Sequence, residues 1–271
     1  NASSDATCRV VGSYRDRIHF IPNSVNSGFA AGQNQALQAF RSDYALVLNP
    51  DVVLEPDYVE RLVTRLMDDY SIGSATGCLL LATDPDRVDT AGLTFKWNRR
   101  AIERGAGQPA SAYAREEDVF GVSAAAALYA RRMIDRIAVD GQFFDESFFA
   151  YKEDVDVAWR ARRHGWKAVC VPAARGTHVR GWGEHTKRKA VPLRLRRLSY
   201  RNRYLMIISN ESLDRTSWWR WPLLAIYEAV YHAFLTVKDP RVFGAWGDLL
   251  RNIPKAWSKR QRLSSQISRI G

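Results

Sequence analysis

Residues 44–51 read Tyr-Ala-Leu-Val-Leu-Asn-Pro-Asp, and this stretch carries most of the information about fold class. Its first five residues are apolar without polar alternation, which is typical of a strand buried on both faces. Pro56 stands where the first turn of a helix tolerates proline, and apolar residues then recur at helical spacing up to Leu66. Another apolar run spans residues 75–81. Strands that alternate with helices predict an α/β domain, with a mostly parallel sheet flanked by helices.

Weaker cues place the other elements of the first two thirds of the chain. They predict a short β-type run at 17–21, a helix at about 33–40, a strand at 119–130, a helix at 153–164 and a short strand at 169–171. Residues 98–118 are charged, rich in Gly and Ala and aperiodic, so we expect a loop or a flexible lid there.

The composition bears on compartment and partners. The chain has 271 residues, of which 46% are hydrophobic, and a formal net charge of +11. A balance this basic favours a polyanionic partner and leaves nucleic acid, anionic lipid and a phosphate-bearing substrate open. The three cysteines are far apart in sequence and form no CxxC pair, so they indicate neither a disulfide framework nor a structural zinc site. A reducing, cytoplasmic environment fits this usage.

Asn49-Pro50-Asp51 directly follows the predicted buried strand. Ligands of open α/β sheets bind beyond the carboxyl ends of the strands, so an acid there is rigidly held and within reach of solvent. Such a carboxylate suits a divalent cation that bridges substrate phosphates. The alternative is a plain strand-to-turn connection in which Asp51 caps the next helix.

A glycine-bearing segment at residues 26–34, Asn-Ser-Gly-Phe-Ala-Ala-Gly-Gln-Asn, opens a helix. Small residues allow close backbone approach, and the amino end of a helix favours an anion. The segment has neither the GxGxxG spacing of dinucleotide-binding proteins nor the GK[ST] of a P-loop. Simple helix entry is therefore the alternative.

The densest functional pattern is residues 143–156, Phe-Phe-Asp-Glu-Ser-Phe-Phe-Ala-Tyr-Lys-Glu-Asp-Val-Asp. Apolar surroundings and neighbouring acids both raise the pKa of a carboxyl group, which can tune a general base. An acidic first turn that complements the helix dipole would explain the later acids, but not the aromatic residues before them. His178 is a structural histidine unless it faces Asp51, in which case a functional role gains weight.

In this order the motifs resemble those of family 2 glycosyltransferases, especially the rhamnosyltransferase-like branch. The matching segments are Asn1–Asp5, Asn26–Asn34, Leu48–Asp51, Phe144–Asp156 and His178, within residues 1–185. The resemblance implies a GT-A fold that uses Mg²⁺ or Mn²⁺ and binds a nucleoside-diphosphate sugar, UDP- or dTDP-linked, with rhamnose as a candidate sugar. It also implies a glycan or lipid-linked acceptor.

The resemblance assigns roles to individual residues. Asp51 matches the metal-binding acid of a DxD-type motif, with Asn49 in the first position of that motif, and His178 matches a position that completes the metal shell. Asp154 resembles the catalytic base, and Glu153 stands beside it. The nucleotide-binding positions implied in the same way are Asn1, Asp5, Asn26, Gly28, Gly32, Asn34 and Asn49.

These roles imply an inverting transfer in which Asp154 deprotonates the acceptor hydroxyl while the metal holds the diphosphate. In the family a strand and a loop normally precede the motif that starts at Asn1, so we expect the native gene product to extend upstream by on the order of ten or more residues. A catalytically inactive glycosyltransferase-like module and a nucleic-acid-binding protein are the alternatives. We expect no nucleic acid partner, because nucleic acid binding leaves the acidic motifs unexplained.

The sequence changes character at about residue 187. This change predicts a catalytic domain at residues 1–186, apparently without its first strand, and a helical, membrane-associating extension at residues 187–271. Residues 187–204 carry eight Lys or Arg and no acid. Aromatic residues follow at Trp218, Trp219, Trp221, Tyr227 and Tyr231.

Trp and Tyr favour the headgroup zone of a bilayer, and basic residues are attracted to anionic lipid. Arg220 and Glu228 interrupt the apolar stretch, which argues against a membrane span. We therefore expect peripheral attachment to the anionic inner face of the cell membrane. The basic residues expected to take part are Arg194, Arg196, Arg197 and Arg201. A solvated basic face is the alternative.

Overall fold

The predicted strand at residues 44–48 is strand β1 (Tyr44–Leu48) of a central sheet. The computed structural model describes residues 1–179, 190–212 and 220–268. The helices are α1 (Thr7–Gly12), α2 (Gly28–Ala39), α3 (Tyr58–Asp68), α4 (Arg131–Ile137), α5 (Glu153–Arg163), α6 (Leu193–Asn210), α7 (Trp221–Lys238) and α8 (Trp246–Ser268). The other strands are β2 (Val52–Leu54), β3 (Ile72–Leu81), β4 (Asp84–Thr90), β5 (Leu93–Phe95), β6 (Ala101–Glu103), β7 (Glu117–Val119), β8 (Ala126–Ala130) and β9 (Lys167–His178). The predicted α/β class, with a helical carboxy-terminal part, is confirmed.

The main sheet has the strand order β1-β8-β3-β9-β2, with β4 paired to β3 and β7 paired to β9. β3 and β9 are parallel, whereas the other pairs of the described chain are antiparallel. The expectation of mostly parallel pairing is therefore wrong. Within the described residues, no α-helix connects β3 to β8. The connection returns to the sheet at the edge where β1 ends, and there the Asn49 amide donates to the Ala125 carbonyl at 2.9 Å. β8 is consequently antiparallel to both of its neighbours, β1 and β3.

Helices cover both faces of the sheet because side chains alternate along its central strands. In β8, Leu128 packs in a core with Leu62 and Leu66 of α3. The next residue, Tyr129, packs on the opposite face in a second core built with α2, α4 and α5. The sheet is thus held rigidly between two helical layers, and its strand ends can position functional side chains.

Several local predictions need correction. Residues 17–21 form no strand; instead the amides of Arg17 and Ile18 bond to the Tyr14 carbonyl at 2.8 and 3.1 Å. The expected lid at residues 98–118 contains β6 and part of β7, whose three residues each are too few to show a period. The single strand expected at 119–130 is also wrong: β7 ends at Val119 and β8 begins only at Ala126.

The helices after residue 190 pack directly on the α/β part. Leu205 and Met206 of α6 share a buried core with Phe148 and Val155, and α8 contributes Leu249. The proposed boundary at residue 187 itself lies outside the described residues, so the division into two domains stays a prediction.

The arginines of α6 are engaged by protein groups. Arg196 is ion-paired with Asp239 and Arg201 with Asp248, and these arginine side chains are only 13% and 10% exposed. The expectation that these two residues attract lipid is wrong, because their charges already hold α6 to its neighbours. Arg197 donates to a backbone carbonyl at 2.9 Å.

Helix α7 instead presents an apolar stripe to solvent. The five residues of the stripe recur at helical spacing and are between 48% and 77% exposed: Leu223, Ile226, Val230, Phe234 and Val237. Tyr227 and Tyr231 turn toward the protein and are half-buried. Trp218 and Trp219 lie outside the described residues. Among the described helices, none is both long enough and apolar enough to cross a bilayer.

Candidate active site

A cleft of about 350 Å³ opens at the edge of the sheet where β1 ends. Its lining residues are Phe29, Asn49, Asp51, Glu103, Ser123, Ala124, Ala125, Ala150, Tyr151, Glu153, Asp154 and His178. Five of the residues predicted to be functional therefore meet here, although they come from three separate parts of the sequence. Six other predicted positions do not line this cleft: Asn1, Asp5, Asn26, Gly28, Gly32 and Asn34.

The register of β2 on β9 brings Asp51 to His178. Val52 pairs with His178, and the Val179 amide donates to the Asp51 carbonyl at 2.9 Å. As a result, His178 Nε2 lies 3.3 Å from Asp51 Oδ1. The alternative in which Asp51 caps a helix does not apply, because β2 intervenes and α3 begins only at Tyr58.

A buried carboxylate behind His178 fixes the orientation of the imidazole. Asp89 of β4 is 3% exposed, and its Oδ2 lies 2.8 Å from His178 Nδ1. This contact turns Nε2 toward Asp51 and the cleft. A carboxylate on the distal nitrogen of a metal-binding histidine is a recurring device that sets the tautomer and the ring orientation.

The donor set at this point fits a divalent cation. A carboxylate and an imidazole nitrogen that face each other are suitable ligands for such an ion. Within residues 1–179, 190–212 and 220–268 there is no group of three or more His, Cys, Asp or Glu side chains that could hold a metal. One or two protein ligands, completed by phosphate oxygens and water, are usual for Mg²⁺. The residues present therefore fit a cation that binds together with a diphosphate.

Glu153 and Asp154 begin α5 and line the same cleft. Glu153 is 7% exposed, and its Oε2 has no hydrogen-bond partner in the described part of the chain. Burial, and then the charge of Asp154, raise the pKa of Glu153 to about 8. Burial also raises the pKa of Asp154, against the opposing effects of Lys152 and of the Val155 amide. Perturbed carboxyl groups in a cleft are candidates for acid–base chemistry.

The backbone just before this acidic pair is strained. φ is +63° at Phe149, +71° at Tyr151 and +74° at Lys152. Residues other than glycine in this region store about 1–3 kcal/mol each and stay there only when surrounding contacts enforce it. The contacts of this segment, which we call the catalytic loop (residues 149–152), therefore identify what shapes the site.

Helix α2 holds the catalytic loop from one side. The amides of Phe29 and Ala30 donate to the Phe149 carbonyl at 2.7 and 3.4 Å. Gly28 has a φ of +89°, and a Cβ at this position would lie 2.5 Å from the same carbonyl oxygen. Glycine is therefore required for close packing on the loop. The helix end that was expected to bind an anion instead binds this carbonyl.

Asn34 connects α2 to the aromatic motif. It is 2% exposed, its amide bonds the Phe144 backbone at 2.8 and 2.9 Å, and it donates to Glu146 at 2.9 Å. Both of its polar groups bond to the aromatic motif, and a nucleotide contact by Asn34 stays a prediction. Phe143 and Phe144 are at most 2% exposed and anchor the motif in the core, which explains the aromatic residues in this pattern.

Four of the predicted nucleotide-binding residues lie in or against the first half of α2: Asn1, Asn26, Gly28 and Gly32. Asn1 Nδ2 donates to the Gly28 carbonyl at 2.7 Å, and the Asn26 side chain accepts from the Gly28 amide at 2.9 Å. A Cβ on Gly32 would lie 2.9 Å from Asn1 Nδ2. Asp5 is exposed and accepts from a backbone amide at 3.0 Å. Nucleotide contacts by these residues stay a prediction.

Helix α6 holds the catalytic loop from the other side through Asn202, which is fully buried. Its Nδ2 lies 2.8 Å from each of the carbonyl oxygens of Phe148, Ala150 and Tyr151. The sequence does not single out Asn202, because it stands within a basic run whose charge dominates the pattern. The carboxy-terminal helices are thus part of the structure that shapes the site.

Helix α8 adds a buried ion cluster below the loop. Lys259 Nζ lies 2.9 Å from Asp145 Oδ2 and from Asp156 Oδ2. Arg160 and Asn210 also donate to Asp156, at 2.9 and 2.7 Å. Asp156, one of the acids of the predicted motif, is therefore a structural residue.

Two further acids of the site were not expected. Asp89 stands in a segment to which the sequence assigned no element, and Glu103 stands in the predicted loop. Neither residue belongs to a local sequence pattern. Glu103 lines the cleft and accepts a hydrogen bond from Ser123 at 3.2 Å. Only the pairing of β4 and β6 with their neighbours places these side chains at the site.

A mixed sheet flanked by helices, with an acidic cleft at its strand ends, defines a GT-A glycosyltransferase fold. The structure of GalNAc-T7 with UDP, GalNAc and Mn²⁺ has a TM-score of 0.55 at 10% identity; the match covers 76% of this chain and 39% of that chain. The structure of S. aureus TarS 1–349 in complex with UDP-GlcNAc has a TM-score of 0.53 at 15% identity, covering 95% of this chain and 72% of that chain. The chain thus spans well under half the length of the first of these structures.

Residues 1–200 match the family described as glycosyltransferase like family 2, and the chain belongs to this family. The N-acetylglucosaminyl-diphospho-decaprenol L-rhamnosyltransferase of Mycobacterium tuberculosis (strain CDC 1551 / Oshkosh) is 25% identical over 255 residues, which cover 82% of this chain and 76% of that protein. The same enzyme of strain H37Rv matches equally. The class is that of a nucleotide-sugar glycosyltransferase, and the predicted family and fold are confirmed.

Proposed function

We propose that this protein is a metal-dependent, inverting glycosyltransferase that moves a sugar from a nucleoside diphosphate to a hydroxyl of a lipid-linked glycan. The observation that carries the proposal is the shared cleft, which joins a metal-competent pair, Asp51 and His178, to a perturbed acidic pair, Glu153 and Asp154. A transfer reaction needs both functions, one to hold the leaving diphosphate and one to activate the acceptor.

Asp51 and His178 would hold Mg²⁺ or Mn²⁺, and the Asp89 contact would keep the imidazole aligned. When bound, the cation supplies positive charge that stabilises the departing diphosphate. Asn49 lies in the same cleft beside Asp51, and we assign it to the nucleotide side of the site.

Asp154 is the proposed base. Its carboxylate takes the proton of the acceptor hydroxyl while that oxygen forms a bond to the anomeric carbon of the donor sugar. The bond from that carbon to the diphosphate oxygen breaks with its electron pair, so the anomeric configuration inverts and the diphosphate leaves. Glu153, buried beside it, tunes the charge of the pair rather than contacting the acceptor proton.

The acceptor class is supported by the relative, whose name gives N-acetylglucosaminyl-diphospho-decaprenol as the molecule it acts on. For this chain we propose a hydroxyl of a lipid-linked glycan as acceptor and a UDP- or dTDP-linked sugar, rhamnose among the candidates, as donor. Residues 1–186 would form the catalytic domain and residues 187–271 the extension that brings it to its lipid substrate.

The exposed stripe of α7 supports attachment to a membrane surface. Isolated exposed apolar residues are ordinary, but a continuous row on one helix face marks an interaction site. A bilayer interface fits the row because the chain carries a net charge of +11, which attracts anionic headgroups. We propose peripheral binding on the cytoplasmic face of the cell membrane, through α7 rather than through the arginines of α6.

The assignment is tested by screening UDP- and dTDP-sugars with and without Mn²⁺, first for thermal stabilisation and then for transfer to a lipid-linked acceptor. Asp154→Asn should keep donor affinity and lose about 10²–10⁴-fold in kcat, the usual effect of removing a positioned base. Asp51→Ala should abolish Mn²⁺-dependent binding of the nucleoside diphosphate in calorimetry. Asp86→Asn, the same change at an exposed position of β4, is the control and should leave both quantities unchanged.

Each alternative has its own outcome in this experiment. If Glu153→Gln is inactive and Asp154→Asn stays active, the base has been assigned to the wrong residue. Donor binding without turnover of any acceptor would favour an inactive module. Salt-sensitive DNA binding with no response to nucleotide sugars would favour a nucleic-acid-binding protein.

A further inference from the structure

A second pocket, of about 310 Å³, adjoins the active-site cleft, and Tyr151 lines both. Among the described residues, five cationic side chains and no acidic one line this pocket, which we call the basic pocket. They are Arg99, Arg100, Lys152, Arg196 and Arg203. Such a concentration of positive charge next to a transfer site favours an anionic part of a substrate.

Three of the five cations are neutralised by acids that lie outside the pocket lining. Arg99 pairs with Glu211, and the other two arginines, Arg196 and Arg203, pair with Asp239 and Glu228. These ion pairs fix the walls of the pocket and leave little charge for a ligand. Their role is therefore to shape the pocket.

Arg100 and Lys152 are different. In the described part of the chain neither side chain takes part in an ion pair or in a hydrogen bond, and both line the pocket. Arg100 is exposed and Lys152 is half-buried, so a ligand can reach both. Lys152 also directly precedes Glu153, which places its charge between the basic pocket and the acidic pair.

The remaining walls are apolar and aromatic. Leu195 and Met206 of α6 line the pocket, together with Tyr200 and Tyr231. Tyr231 belongs to α7, the helix whose outer face carries the exposed apolar stripe. The pocket thus lies between the acidic pair on one side and the helix with the apolar stripe on the other.

We infer that the basic pocket binds the diphosphate of a lipid-linked acceptor, through Arg100 and Lys152. The acceptor sugar then reaches Asp154 through the opening at Tyr151, while the lipid chain leaves along α7. This inference rests on the proposed function and adds to it the place where the acceptor is recognised. A donor diphosphate carries the same chemistry, but the cation proposed at Asp51 and His178 would give it a separate position in the cleft.

The test measures two ligands on the same variants. Farnesyl diphosphate, a short prenyl diphosphate, is titrated calorimetrically below its micelle concentration, and UDP with Mn²⁺ is titrated in parallel. Arg100→Gln should weaken farnesyl diphosphate binding at least roughly tenfold, as expected for loss of a charge-assisted contact, and should leave UDP binding unchanged. Lys152→Gln should weaken farnesyl diphosphate binding to a similar extent. Arg115→Gln is the matched control, because Arg115 is exposed and lies outside both pockets.

The outcomes separate the inference from the proposed function. Wild-type protein that binds UDP with Mn²⁺ but not farnesyl diphosphate would overturn the inference and leave the proposed function standing. Loss of UDP binding in Arg100→Gln would assign the pocket to the donor and also overturn the inference. An equal loss of farnesyl diphosphate binding in Arg115→Gln would show that binding depends only on the net charge of the protein, and this would overturn the inference. Absence of binding for both ligands in the wild type would contradict the proposed function as well.

Discussion

Replacing Asn202 by Leu should impair catalysis although Asn202 itself does not line the cleft. The change keeps the size of the side chain but removes three 2.8 Å contacts to the carbonyl oxygens of Phe148, Ala150 and Tyr151. The amide nitrogen has two protons to donate, and each hydrogen bond contributes about 0.5–1.5 kcal/mol net, so the clamp contributes about 1–3 kcal/mol. The positive φ angles of the catalytic loop store about 1–3 kcal/mol each, which is of the same size.

Without the clamp the strained loop should relax, and it directly precedes Glu153 and Asp154. A displacement of about 1 Å at reacting groups can lower a rate roughly 10²-fold. We therefore expect kcat to fall by one to two orders of magnitude, while donor affinity stays near the wild-type value because Asp51 and His178 do not contact the loop clamp. Steady-state kinetics and calorimetry on the same preparation measure the two quantities.

The control is Asn252→Leu, the same substitution on α8, where the side chain bonds its own helix at Asp248. A melting curve establishes that both variants are folded. If Asn202→Leu is folded and keeps the wild-type kcat, α6 does not hold the catalytic loop in its active form. If donor affinity falls together with kcat, the variant has disturbed the whole cleft and the argument for a local clamp fails.

Three further predictions concern the metal, the membrane and stability. Asp89→Asn should weaken Mn²⁺-dependent nucleotide binding about 10–100-fold by calorimetry, because it releases the imidazole of the proposed metal site; unchanged affinity would refute this role. The double change Ile226→Gln and Val230→Gln should release the protein from anionic vesicles in co-sedimentation, whereas Met67→Gln, 69% exposed on α3, should not; equal release by both would rule out the α7 stripe. Glu153→Gln should raise the melting temperature increasingly as the pH rises from about 4.5 to 8, because the folded-state pKa of Glu153 is raised and wild-type stability is lost over that range. A stability difference that does not change with pH would show that Glu153 is not the buried acid described here.

Much of the fold could be predicted from local sequence. β1 and α5 were placed correctly because a buried strand and a helix with an acidic first turn leave patterns within ten residues or so. The pairing of strands could not be predicted in the same way. The direction of β8 depends on where the long excursion after β3 returns to the sheet, and no residue in β8 encodes that information.

The candidate site shows the same division. Asp51, Asp154 and His178 stand at element ends where ligands are expected, and they do meet in the cleft. Asp89 and Asn202 act on their neighbours through contacts that span 89 and about 50 residues of sequence, as the pairs with His178 and Phe148 show. Long-range contacts of this kind are set by packing, so they appear only in the folded chain.

The first turn of α5 shows why the structure was needed to separate functional from structural acids. Glu153, Asp154 and Asp156 are neighbours in sequence, and a helix dipole would favour all three equally. In the fold, Asp156 is surrounded by Lys259, Arg160 and Asn210. Burial opposes ionisation there, but the charges of Lys259 and Arg160 outweigh it and lower the pKa of Asp156.

Glu153 and Asp154 receive no such compensation from α8, and burial raises the pKa of both. Neighbouring acids whose pKa values are shifted in opposite directions have different roles: an acid with a lowered pKa serves as an ion-pair partner, and one with a raised pKa can accept a proton. A buried carboxyl group that lacks a cationic partner destabilises the fold, so its presence at a cleft is best explained by the reaction it serves. By this argument the ion cluster of Asp156 holds α5 in place, and the strained loop presents Asp154 to the proposed acceptor, with Glu153 buried beside it.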